Sequence, residues 1–211
     1  MRIRLPWMSR ADRRLWRSAQ TLHDLGQRVA LWLTGAIASQ PGYTPNYGPD
    51  PETEYLVPVL ARINELGYVT DCSQPGISGA DGDDHWEQRA AVSGLVDNPA
   101  LLRRLVDAAE EAGLLVICHD VTPGPHPDGV AVTKVNGEDC TWFGGHVLVQ
   151  DLRTIWPERI IGRRAFARVA EAWQVTIIDP QYGRDDVLWE ALWEVIRQER
   201  PALADAAGGT G

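Results

Sequence analysis

Lys134 is the only lysine in the chain, and the cysteines are three: Cys72, Cys118 and Cys140, with no CxxC pair among them. An odd count at long spacings points to neither a disulfide framework nor a zinc site. Each cysteine falls in an apolar or strand-like run, where a buried structural thiol is the expectation. No apolar run approaches the ~20 residues that a membrane span needs. The basic start, Met1 to Arg17, lacks the apolar core of a signal peptide. The expectation is a cytoplasmic protein with no membrane partner.

Several familiar signatures are also missing. There is no glycine-rich phosphate loop, no GxGxxG, no HExxH and no nucleophile elbow. The acidic, glycine-rich loop of the usual methyltransferases is absent too. His23, His85, His119, His126 and His146 share no metal-ligand spacing, so no metal is expected.

What is present suits one globular domain. Apolar residues make up 44% of the 211, an ordinary share for a soluble fold. The net charge of -9, spread along the chain, argues against a nucleic-acid partner, which requires basic patches against phosphates. The one basic cluster is Arg2, Arg4, Arg10, Arg13, Arg14 and Arg17. It reads first as a solvated helix face and second as a site for phosphate or an acidic partner.

Apolar periodicity predicts helices over Asp12–Leu33, Glu52–Leu66, Ala100–Ala112, Phe166–Trp173 and Val187–Arg197, with Gly35, Gly67 and Gly113 as stops. Strands are expected at Tyr68–Thr70, Trp86–Val96, Leu114–His119 (buried) and Val175–Asp179. The runs Val130–Val135 and Thr141–Val149 flank Asn136-Gly137, a hairpin signal. Gln40–Pro51, Ser73–Asp84 and Pro123–Gly129 read as loops, the first of them either a ligand lid or a connector. Helices and strands alternate irregularly, so the expected class is α+β, mixed sheets flanked by helices. The expected divisions are a basic extension over 1–14, a domain over 15–200 and a disordered tail over 201–211.

Glu52-Thr53 opens a helix that ends in Asn64-Glu65-Leu66-Gly67, and Thr70-Asp71-Cys72-Ser73-Gln74-Pro75 follows. Gln88-Arg89-Ala90, Thr141-Trp142, Trp173 and Asp185-Asp186-Val187-Leu188-Trp189 come later. Together these resemble the S-adenosylmethionine-binding regulatory domain of eukaryotic methylenetetrahydrofolate reductase, over roughly Leu15 to Ile196. The reductase's folate- and flavin-binding barrel has no counterpart here. The resemblance implies an S-adenosylmethionine or S-adenosylhomocysteine ligand contacted by Glu52, Thr53, Thr70, Ser73 and Thr141. It adds Asn46 in the loop and, in an ungapped alignment, Thr154; a two-residue gap moves that last position to Leu152. The residue types suit the ligand: a carboxylate for ammonium or ribose, hydroxyls for carboxylate and adenine.

Taken singly, these residues also suit bland roles, Thr53 near a helix start and Thr70 and Ser73 in a turn. Three functions follow from the resemblance: a sensor acting in trans on a protein partner, an S-adenosylmethionine-dependent enzyme (a methyltransferase before a lyase or hydrolase), or a module with a changed ligand. For an enzyme, Asp71, Asp84, His85 and His119 are the candidate catalytic groups. The resemblance further implies a homodimer.

Overall fold

The computed structural model describes residues 7–120 and 128–208, from 200 onward as backbone alone. The expected loop Pro123–Gly129 therefore lies almost wholly outside the described residues. Helix α1 (Arg10–Arg17) starts at Ser9, whose hydroxyl accepts the Asp12 N–H. Helix α2 (Leu22–Leu33) starts with a capping box between Thr21 and Asp24. The single helix expected over Asp12–Leu33 is thus two. The apolar period runs through the break, but two capped starts satisfy backbone donors that one continuous helix would have used otherwise.

Pro51–Leu56 forms a 3-10 turn, and α3 (Val57–Glu65) follows with Pro58 in its first turn. The helix expected over Glu52–Leu66 splits there because Pro58 has no N–H to donate and fits only near a helix start. Strand β1 spans Val69–Gln74, β2 Ser78–Asp81 and β3 Asp84–Val96. β2 lies within the stretch expected to be a loop; it pairs with the start of β3 across a turn in which Gly82 has φ 62°.

Helix α4 (Pro99–Glu111) is capped by Asn98 and stops before Gly113, at φ 67°. Strands β4 (Leu115–His119), β5 (Val130–Val135) and β6 (Glu138–Phe143) follow. The β5–β6 hairpin turns on Asn136 and Gly137, both left-handed at φ 53° and 84°. The helix expected at Phe166–Trp173 is present as α7 (Arg163–Glu171), preceded by two short helices, α5 (Val149–Ile155) and α6 (Glu158–Ile161), while the strand expected to run to Val149 ends with β6 at Phe143, before Gly144 at φ 84°. Trp173 instead opens β7 (Trp173–Tyr182). Helix α8 (Val187–Gly208) continues into the stretch set apart as a tail from 201, of which 209–211 are outside the described residues. At the other end residues 1–6 are not described, while Met8 and Asp12 are already buried.

The seven strands form one antiparallel system organised by β3. Its C-terminal half is flanked by β1 and β7, its N-terminal half by β2 and β5; β4 pairs with β7, and β6 with β5. Strand alternation gives the sheet two unlike faces. Val92, Val96, Val175 and Ile177 point to one face and are buried with Leu101 and Leu105 of α4 and Leu188, Leu192 and Val195 of α8. Each such side chain contributes about 1.5–3 kcal/mol. On the other face Ala91 and Ile178 join Val132 and Phe143 in a small second cluster. The fold is α+β. No helix among the described residues is long and apolar enough to cross a membrane.

β4 corrects one expectation: it is an edge strand, not a buried one, with Leu115 41% exposed. The cysteines correct another. Cys72, Cys118 and Cys140 are all free and exposed, because they lie on the open sheet face or on edge strands rather than beneath the helices.

Candidate functional site

The site begins with a bulge. β1 pairs Thr70 with Gly94 and then Cys72 with Ser93, so Asp71 is left without a partner in β3. A bulge of this kind re-aims a side chain. Beside it, Cys72, Ser93, Thr176 and Ile117 make one row across four strands, with Leu95, Gln174 and His119 in the next. The Ser93 and Thr176 hydroxyls bond each other at 2.9 Å. This open face is the floor of a cleft of about 500 Å³, within the ~300–1,000 Å³ range of small-molecule sites.

The walls are Trp142 and Phe143 at the end of β6, the Gly144–Val147 strap, Leu152 and Ile155 of α5, and Gly42. The strap is fixed from below. The Val147 N–H donates to Gln174 Oε1 and its carbonyl accepts from Gln174 Nε2, both at 2.8 Å. His119, 3% exposed, meets the Gly144 carbonyl through Nε2 at 2.7 Å. A carbonyl only accepts, so Nε2 carries the proton. The His146 ring lies edge-on to His119, with centroids 5.4 Å apart. His119 therefore positions the strap, a use that competes with the proton-transfer role expected of it.

Among the described residues lining the cleft Asp71 is the only carboxylate, and none of them is a lysine or arginine. Burial pushes the Asp71 carboxyl up to about 6, against opposing bonds from its own N–H and that of Cys72. Within the cleft, desolvation of the sulfur and the charge of Asp71 push the Cys72 thiol up to about 12, which disfavours its thiolate at neutral pH. Trp142, 56% exposed, offers an aromatic face at the rim.

A smaller cavity of about 100 Å³ adjoins this one, with Asp71 and Cys72 common to both walls. Thr53, Thr70 and Ser73 line it. Three of the residues matched in sequence are thus brought together, in a space too small for a whole nucleoside. Two are already engaged. The Thr53 hydroxyl donates to the Asp50 carbonyl at 2.9 Å, and the Thr70 hydroxyl accepts from Asn64 Nδ2 at 2.7 Å.

Other matched positions lie elsewhere. Glu52 is exposed on the 3-10 turn and lines neither cavity. Asn46 stands at φ 61°; its N–H donates to Ser39 Oγ at 3.0 Å and its Nδ2 to the Trp7 carbonyl at 3.2 Å. The 40–51 loop is tied down rather than lid-like. Trp16 Nε1 donates to Ser39 O at 2.8 Å, Trp32 Nε1 to Tyr47 O at 2.9 Å, and the Tyr43 hydroxyl to Asp50 at 2.8 Å. Thr141 lies in β6 next to Trp142 but is not in the cleft wall. Thr154 is exposed, whereas Leu152, the alternative register, lines the cleft. Asp84 and His85 sit at the far hairpin end, where Asn136 Nδ2 donates to Asp84 at 2.7 Å and the His85 N–H donates to Asn136 Oδ1 at 2.8 Å.

Sequence reasoning missed Ser93, Thr176, Gln174 and His146. The signal available for Ser93 and Thr176 was a lone polar residue at an alternating position within an apolar strand.

The fold and its single-sided cleft define an α+β domain built on an antiparallel sheet. Residues 11–199 match the family described as a domain of unknown function (DUF6919), and the chain belongs to that family. Among curated proteins, none matches the chain.

Proposed function

We propose that the cleft binds an adenosyl ligand, the cationic S-adenosylmethionine or, with a neutral sulfur, the zwitterionic S-adenosylhomocysteine, and that the chain acts as a stand-alone binding or sensing module. The observation that carries this reading is Asp71: one carboxylate in a ligand-sized cleft that no arginine or lysine among the described residues lines. A lone half-buried anion selects a sulfonium or ammonium group. Trp142 at the rim suits stacking of adenine or a cation–π contact, and the Ser93 and Thr176 hydroxyls suit a ribose or carboxylate. Thr53, Thr70 and Ser73 lie in the adjoining cavity, close enough to share Asp71 and Cys72 with the cleft, which agrees with the resemblance in sequence.

Calorimetry of the full chain against both ligands tests the reading. Saturable micromolar binding of S-adenosylmethionine, weakened about tenfold or more in Asp71→Asn, is expected, since a hydrogen bond to a charged group contributes about 1.5–3 kcal/mol. Absence of binding to either ligand overturns it.

A second reading, methyl transfer to a small acceptor, is favoured by the same carboxyl: a group raised to about 6 is placed for proton removal near neutral pH. Appearance of S-adenosylhomocysteine by mass spectrometry, in the presence of candidate acceptors, separates an enzyme from a sensor.

A further inference from the structure

We propose that Arg13, Arg17 and Arg159 form a second binding site, one that takes a phosphate monoester carrying an aromatic or apolar body. The three arginines line a cavity of about 330 Å³ between α1, α6 and the 40–45 loop, and among the described residues no carboxylate lines it. Arg13 and Arg17 stand one helical turn apart and so share a face, which Arg10 and Arg14 extend. Such like-charge neighbours oppose the helix that carries them, and among the described residues none of these five arginines has an ion pair. Nearby arginines are matched: Arg163 meets Glu158 at 3.4 Å and Arg28 meets Asp24 at 3.9 Å. In a chain of net charge -9, an uncompensated cluster facing a cavity is a site for an anion.

A second observation points the same way. Gln40 is 7% exposed, lines this cavity, and among the described residues its Oε1 has no hydrogen-bond partner. Its amide can be turned to present N–H donors to an anion. Guanidinium forks match phosphate oxygens two at a time. The remaining wall is apolar: Trp7, 58% exposed, with Met8, Tyr43 and flanking prolines. That wall favours an ester over free phosphate.

The test is calorimetry of the full chain at low ionic strength with inorganic phosphate, phenyl phosphate and phenol, probes that avoid the adenosyl cleft and so succeed or fail independently of it. Phenyl phosphate is expected to bind more tightly than inorganic phosphate, phenol not at all, and added salt to weaken binding. The Arg13→Gln/Arg17→Gln double variant should lose about tenfold or more in affinity and Arg159→Gln several-fold, while Arg103→Gln, an exposed arginine on α4, should bind as the parent does. All four residues are exposed, and matching circular-dichroism melts confirm that the variants fold. Undiminished binding in the double variant, or equal loss in Arg103→Gln, overturns the site. Displacement of phenyl phosphate by a tighter-binding oligoglutamate peptide overturns it in favour of an acidic protein partner.

Discussion

The Asn64 carboxamide grips Thr70 at two points: its oxygen accepts the Thr70 N–H at 3.0 Å, and its nitrogen donates to the Thr70 hydroxyl at 2.7 Å. The same nitrogen reaches back to the Leu60 carbonyl at 2.8 Å, so the end of α3 and the start of β1 are joined by one fully buried side chain. Asn64→Ala is expected to cost about 2–4 kcal/mol of stability, because it leaves buried polar partners unmade. Urea denaturation measures this, and a loss under about 1 kcal/mol would mean that water replaces the amide.

Asp71 gives the protein a pH signature. Its carboxyl sits at about 6, above its ordinary 3.8, so between those values the folded state holds a proton that the unfolded chain has lost. Stability therefore falls as pH rises from about 4 to about 6 and stays lower beyond. Asp71→Asn should flatten that slope and stabilise the protein at pH 7, as read by melting temperature. Affinity for S-adenosylmethionine should move the opposite way, rising through the same window as the carboxylate forms. A pH-independent affinity would remove Asp71 from the ligand's surroundings.

Trp142 should separate binding from stability. It is 56% exposed on the cleft rim, so Trp142→Ala should leave the melting temperature within a few degrees while weakening ligand by about 1–2 kcal/mol through lost stacking. Titration followed by tryptophan fluorescence and by calorimetry checks both halves. A large drop in melting temperature with unchanged affinity would make it a packing residue.

Gly42 reports on how firmly the cleft wall is set. It has φ 75°, and a Cβ there would lie 2.3 Å from the Ile155 carbonyl oxygen. Gly42→Ala is expected to destabilise by about 2–4 kcal/mol, combining left-handed strain with a backbone clash. Because Gly42 also borders the arginine cavity, phenyl phosphate affinity should fall with it. Wild-type stability in this variant would show that the 40–45 loop yields easily.

The α+β class, the Asn136-Gly137 hairpin and the stops at Gly67 and Gly113 were legible in the sequence because each rests on local chemistry: periodicity, a turn type, a left-handed glycine. The break between α1 and α2 was less visible, although Thr21 and Asp24 carried the capping signal. The cleft was harder still. Its lining comes from β1, β3, β4, β6, β7, α5, the strap and Gly42, and only the pairing register brings Cys72, Ser93 and Thr176 into one row. Asp71 stood out by sequence neighbourhood, but its role depends on a bulge that no local pattern announces. Glu52, which the resemblance placed against the ligand, is exposed on its turn.

β3 has a kinetic consequence as well. Its partners come from residues 69–74, 78–81, 130–135 and 173–182, so most of its ladder closes long loops before any packing rewards them. Such non-local pairing slows folding. The cleft floor needs β7, the partner of β3 most distant in sequence, so a chain in which β7 has not docked has no pocket to offer a ligand.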